Sequence, residues 1–215
     1  MSRSRKPSLD GEGFFLKGGK GVNARSAGSR QILDAQGMRR ALRRMANEIL
    51  ERNRGARDLA MVGIRTAGVF LAQRLAQEVE ALEETSVDLG TIDVTLYRDD
   101  ISRGRANPIV QKTEISFDVD DRKIILVDDV LFTGRTTRAA LDAMMDFGRP
   151  AMVQLAVLVD RGHRELPIRA DYVGISLATE RDESVIVFMK EMGRKDEVVL
   201  AGAGWEDVDG DQTGQ

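Results

Sequence analysis

The chain of 215 residues contains no cysteine and one histidine, His163. The first absence excludes a disulfide framework and any cysteine-based metal site. With no second histidine or cysteine beside His163, a zinc centre and a nucleophilic triad are also discounted. No apolar run approaches membrane length, and the N-terminus lacks the apolar segment of a signal peptide, so a cytoplasmic protein is expected. A net charge of −3 gives no global nucleic-acid signature, and RNA contact would require a local basic patch. There is no G-x-x-x-x-G-K-[ST] loop of the Walker type. The length suits one α/β domain with tails.

What is present centres on Lys123 to Arg138. Ile124 to Val127 form an unbroken apolar run, the pattern of a strand buried on both faces of a parallel sheet. Asp128 and Asp129 follow, where such a strand reaches the carboxyl edge, the edge at which open α/β sheets bind ligands. The turn Val130-Leu131-Phe132-Thr133-Gly134-Arg135-Thr136-Thr137 leads into a helical pattern over Arg138 to Phe147, stopped by Gly148 and Pro150. Unpaired N–H groups at a helix start favour an anion, Gly134 admits a phosphate to the backbone, and threonine hydroxyls add donors. The carboxylates suit a cis-diol such as the ribose 2′ and 3′ hydroxyls. Together these residues make a phosphate cradle with two ribose acceptors beside it.

On the N-terminal side, residues 1–30 carry seven basic residues against Asp10 and Glu12 and read as a disordered basic arm. Residues 31–201 form the expected domain. Asp34 is a good N-cap, and Met38, Leu42, Met45 and Ile49 mark the buried stripe of a helix ended by Asn53-Arg54-Gly55. Leu59 to Ile64 reads as a core strand. The turn Arg65-Thr66-Ala67-Gly68 then opens a helix with apolar positions at Leu71, Leu75, Val79 and Leu82, making a second anion pocket. Ile92, Val94 and Leu96 alternate in a third strand, and the polar segment that follows, to Thr113, is expected to be a lid. Met152 to Val159 reads as a further buried strand. Strands near Ala170–Ser176 and Val185–Met189 complete the sheet and a small flanking hood. Residues 202–215, with Glu206, Asp207, Asp209 and Asp211, read as a disordered acidic tail.

The central stretch resembles the phosphoribosyl diphosphate (PRPP) motif of type I phosphoribosyltransferases. The order Leu96-Tyr-Arg-Asp-Asp100, Val127 to Thr136, Gly148-Arg-Pro150 and Val157 to Pro167 is similar to the PyrR family. Its members regulate pyrimidine operons and are also uracil phosphoribosyltransferases. The resemblance implies a mostly parallel sheet flanked by helices with a small hood. It implies formation of uridine monophosphate (UMP) and diphosphate from uracil and PRPP, with Mg²⁺ carried by PRPP and no direct protein metal site. Asp128, Asp129 and Arg98 would be catalytic. Val130 to Thr137, Arg65 and Thr66 would hold phosphate and pyrophosphate, and Asp160 and Arg161 would lie at the base. The usual pyrophosphate loop is Gly-Ile-x-Thr-Arg-Gly, and here Ala67 stands at the arginine, a loss of one bidentate donor.

The same resemblance implies a second partner, the leader of pyrimidine-operon mRNA, and at least a homodimer. Arg44, Arg52, His163 and Arg169 match the family's RNA face. Arg43 and Asn47 replace its threonine and histidine, and Ile175 replaces a lysine, which would weaken RNA binding. Three readings stand: a transferase that also binds RNA, one of these functions without the other, or a nucleotide-sensing protein with neither. Purine-specific relatives carry an aspartate at the position of Phe132, where it handles the purine N7 proton. An aromatic ring cannot do that. Uracil should therefore be used far better than hypoxanthine or guanine, and comparable kcat/KM values for a purine base would overturn this reading.

Overall fold

The computed structural model describes residues 28–94, 113–203 and 205. Five strands form an all-parallel sheet in the order β3 (Asp88–Ile92), β2 (Leu59–Ile64), β4 (Lys123–Leu131), β5 (Met152–Asp160), β6 (Tyr172–Ser176). Helices α1 (Ala35–Asn53) and α2 (Ala67–Glu83) cover one face and α3 (Arg135–Met144) the other. The strand side chains divide accordingly. In β4, Ile125 and Val127 pack with α1 and α2, whereas Ile124 and Leu126 pack with α3, as the period of two requires. All four are fully buried, which explains the absence of polar alternation.

Helix α1 follows its sequence pattern closely. Asp34 accepts a hydrogen bond from the Gly37 amide at 2.7 Å, and Arg54, in the left-handed region, closes the other end. Met38, Leu42, Met45 and Ile49 are at most 3% exposed. Burying each contributes roughly 1.5–3 kcal/mol before the entropy of ordering is subtracted.

Several boundaries differ from expectation. Strand β4 continues through both carboxylates to Leu131, because β5 offers backbone partners as far as Leu131↔Asp160. Helix α3 starts three residues earlier than expected and ends at Met144, leaving Phe147 44% exposed. The third strand is Asp88–Ile92, ahead of the expected alternation; Leu96 lies outside the described residues. In α2, Leu82 is 40% exposed and does not belong to the buried stripe.

The hood has two members that the sequence pattern did not mark. Strand β6 completes the main sheet. The small sheet is β1 (Ser29–Asp34), β8 (Glu197–Ala201) and β7 (Ser184–Phe188), paired antiparallel. Strand β1 therefore starts inside the 1–30 stretch expected as an arm, since Ser29 and Arg30 pair with Ala201 and Leu200. The small sheet buries Val187 and Val198 in the same cluster as α1 and α2.

Arg74 of α2 ties this lobe down. It donates to Glu191 at 2.9 and 2.6 Å and to Asp196 at 2.7 Å, with 13% of its side chain exposed. Burial alone would raise both carboxyl pKa values, but the hydrogen bonds from Arg74 outweigh it and hold them below the ordinary range. A depressed folded pKa contributes stability above the unfolded carboxyl pKa, and this is lost as pH falls through the lowered values. Arg74→Ala should destabilise the protein by about 2–3 kcal/mol at neutral pH. Urea titrations should show that difference shrinking on acidification.

Candidate active site

Asp128 and Asp129 stand where β4 passes the end of its apolar run, with Asp128 buried and Asp129 half-buried. Each is fixed by the following peptide: the Asp129 amide donates to Asp128 Oδ1 at 3.0 Å, and the Val130 amide to Asp129 Oδ1 at 2.9 Å. Burial nevertheless pushes the Asp129 carboxyl pKa up, against the lowering effect of its hydrogen bonds with Asp128 and Val130. The loop beyond turns at Gly134, whose φ of 91° is in the left-handed region and whose missing Cβ would lie 3.3 Å from Ile168. Asp128 and Val130 to Thr137 line one cleft of about 380 Å³. The start of α3 borders it, so the amides of that first turn favour a bound anion.

The second loop lies against the same strand. Gly68, in the first turn of α2, approaches β4 so closely that a Cβ there would sit 2.5 Å from the Val127 carbonyl oxygen. The Arg65–Thr66 peptide is cis, and the Arg65 amide donates to Ile92 O at 3.0 Å. Ala67, the departure from the family pattern, is 6% exposed and packs in the core cluster of α1 and α2.

A neighbouring cleft of about 430 Å³ is lined by Asp160 to His163 at the end of β5 and by Ser176 to Thr179, from the last residue of β6 onward. Arg161 is buried, with its guanidinium 4.2 Å from the centre of the Phe132 ring. Its Nε donates to Thr179 Oγ1 at 3.2 Å and its Nη2 to Glu180 O at 2.8 Å. His163 meets the edge of Phe132, ring centres 5.9 Å apart, and its Nε2 bonds the Thr179 carbonyl at 2.7 Å. Asp160 is already engaged by the Gly162 amide at 3.0 Å and by Arg164 at 2.5 Å.

Arg164 is the residue that the sequence reading misses. Its Nη1 donates to the carbonyls of Phe132 at 2.8 Å, Gly162 at 3.0 Å and Leu131 at 3.2 Å, while Nε donates to Ile168 O at 3.1 Å. One guanidinium thus joins the loop after β4 to the loop after β5. Glu165 adds a second tie through Arg135 Nε at 3.0 Å and through Arg181. The partners that join the two loops, the Leu131 and Phe132 carbonyls, are main-chain groups more than thirty residues away and leave no mark in sequence.

The residues matched to an RNA face divide into two places. Arg44 and Arg52 of α1 both reach β6 or the residue before it. Arg44 Nη2 donates to Val173 O at 3.1 Å and Gly174 O at 2.5 Å, and Arg52 pairs with Asp171 at 2.8 Å. Arg169 is exposed just ahead of β6, whereas His163 lies by the second cleft. Ile175 is half-buried against the core. Arg98 falls outside the described residues, as do most of the expected lid and both expected tails. No helix among the described residues is long and apolar enough to cross a membrane.

Known proteins resemble this chain in sequence and in fold. The phosphoribosyl transferase domain family matches residues 28–197. The chain is 56% identical over 172 residues to the bifunctional protein PyrR of Alkaliphilus metalliredigens, covering 80% of this chain and 94% of that protein. The chain belongs to the PyrR family. Its identity to the bifunctional protein PyrR of Bacillus subtilis is 53% over 171 residues, covering 79% of this chain and 94% of the relative. For the same protein of Deinococcus radiodurans it is 56% over 169 residues, covering 79% and 92%. Among solved structures, a hypoxanthine phosphoribosyltransferase of Trypanosoma cruzi superposes with a TM-score of 0.60 at 17% identity, covering 81% of this chain and 97% of that one. One from Staphylococcus aureus also gives 0.60 at 17%, covering 81% and 92%. At such identity the likeness carries the fold alone, and the PyrR family here uses that type I phosphoribosyltransferase fold.

The raised Asp129 pKa has a consequence for stability. The folded chain holds this proton more tightly than the unfolded one, so stability declines as pH rises from the ordinary aspartate range through the raised value, then levels. Asp129→Asn removes the carboxylate charge that desolvation disfavours. Its melting temperature at neutral pH should exceed that of the wild type by a few degrees, with the gap closing in acid. A lower melting temperature at neutral pH would contradict this account.

Proposed function

We propose that the protein is a uracil phosphoribosyltransferase, converting uracil and PRPP to UMP and diphosphate, and that it also binds the leader of pyrimidine mRNA in response to uridine nucleotides. The observation that carries this is the single wall made by Asp128, the Val130–Thr137 loop and the start of α3, in a chain of the PyrR family. The loop amides and threonine hydroxyls bind the 5′-phosphate of PRPP. Asp128 and Asp129 accept hydrogen bonds from the ribose hydroxyls, and the Arg65–Gly68 turn faces the pyrophosphate.

Displacement at the anomeric carbon passes through an oxocarbenium-like state. The protein contributes positioning, charge stabilisation and exclusion of water, with no covalent nucleophile. Among the described residues no three His, Cys, Asp or Glu side chains gather into a metal site. The two adjacent carboxylates suit a nearby Mg²⁺ ion: Asp128 and Asp129 would lie beside one carried by PRPP oxygens and water, without ligating it directly. When bound, Mg²⁺ neutralises charge on the departing diphosphate.

For RNA, the basic face of α1 with Arg169 and His163 supplies the phosphate contacts. Two observations favour a second reading, a transferase without RNA binding: Ile175 packs on the core, and Arg44 is engaged with Glu48 and two carbonyls of β6. An assay of UMP synthesis, paired with a gel shift on the 5′ leader of the organism's own pyrimidine genes, separates these readings. Asp128→Asn and Asp129→Asn should each lower transferase turnover by about a hundredfold or more while the variants remain folded. Wild-type turnover in both would remove these carboxylates from the site.

A further inference from the structure

The described environment of Arg161 is more constrained than binding a base by stacking requires. The guanidinium plane is set by the Phe132 ring at 4.2 Å, and its rotation within that plane by two acceptors, Thr179 Oγ1 and Glu180 O. The Thr179 hydroxyl acts in both directions, accepting from Arg161 Nε and donating to Arg161 O, each at 3.2 Å. The Thr179 peptide is fixed in turn, because its carbonyl bonds His163 Nε2 at 2.7 Å. Backbone pairing holds the two loops at the same level, with Asp160 opposite Ser176 and the Leu177 amide on Asp160 O at 2.8 Å.

This geometry uses Nε and Nη2 and leaves Nη1 with no hydrogen bond to a described residue, on a buried cation that lines the second cleft. A guanidinium has donors only. What it can recognise from that edge is an acceptor, and in neutral uracil, whose ring nitrogens both carry hydrogen, the acceptors are the keto oxygens. Uracil has one at C2 and one at C4. Cytosine has an amino group at C4, which would set donor against donor in a buried place.

We propose that Thr179 is a specificity-determining positioning residue: its hydroxyl holds Arg161 so that the Nη1 edge reads the C4 keto oxygen of uracil. The proposal rests on the transferase reading above and adds to it the group that orients the reader. Without the hydroxyl, Arg161 keeps its charge and its stacking on Phe132 but loses the contact that fixes its rotation. The cost then falls on base recognition and spares PRPP, whose proposed contacts lie in the other cleft.

The test is steady-state kinetics on wild type, Thr179→Val and Thr179→Ser, with uracil and PRPP varied separately and cytosine offered as a competing base. Valine keeps the shape and removes the hydroxyl, and serine restores it. In the valine variant the uracil KM should rise about tenfold, the preference for uracil over cytosine should fall, and the PRPP KM and kcat should stay within about twofold. Serine should return the uracil KM to within about threefold of wild type. An unchanged uracil KM in Thr179→Val would overturn the proposal. So would a serine variant as impaired as valine, or a PRPP KM that rises in parallel, since these mark a merely structural role. A wild type that makes no UMP would overturn the transferase reading and this proposal with it, and that outcome is separate from the other three.

Discussion

Strand β4 sets the position of everything else. A strand buried on both faces can carry no charge until it emerges from its covering helices, so the first carboxylates in the chain after Val127 mark the rim of the sheet. The backbone there remains paired with β5, and Asp128 and Asp129 are held at the rim on a rigid element. Gly68 presses the second loop against the same strand, and Gly134 lets the chain turn directly into α3. The site is therefore a by-product of how an apolar strand must end, refined by two glycines.

Much of this was legible in the residues. The apolar run, the paired acids and the threonine-rich turn name a strand, a rim and a helix start, and Asp34 with its stripe of Met38, Leu42, Met45 and Ile49 defines α1. What was not legible depends on partners distant in sequence. Strand β4 outlasts its apolar run because β5 supplies hydrogen bonds, and β1 exists because β8 pairs with it. Nothing in Ser29 to Asp34 reveals that by itself. Arg164 binds carbonyls that any sequence would provide. The Ala67 departure looks like a missing charge in sequence, while in the fold that position is part of a packed helix start.

The two proposed functions meet in β6. Its middle carbonyls, Val173 and Gly174, are held by Arg44 of α1, and the residues just beyond its end wall the second cleft. Inside, Asn53 links α1 to both flanking strands, donating to Gln154 of β5 at 2.9 Å and Tyr172 of β6 at 3.1 Å. These groups are buried and mutually satisfied, so α1 and β6 are joined by hydrogen bonds as well as by apolar packing. A basic helix thereby holds the middle of the strand whose carboxyl end borders a ligand cleft.

The small sheet carries a mechanical consequence. Ser29 and Ala201 are register partners at the same end of the antiparallel β1–β8 pair. Tension applied through these two points pulls perpendicular to the strands and loads their hydrogen bonds one after another, as in a zipper. The five parallel strands, whose covering helices and crossovers lie between those points, take up load only after that pair has parted. A pull on the two flanks would therefore open the three-stranded sheet before the central one.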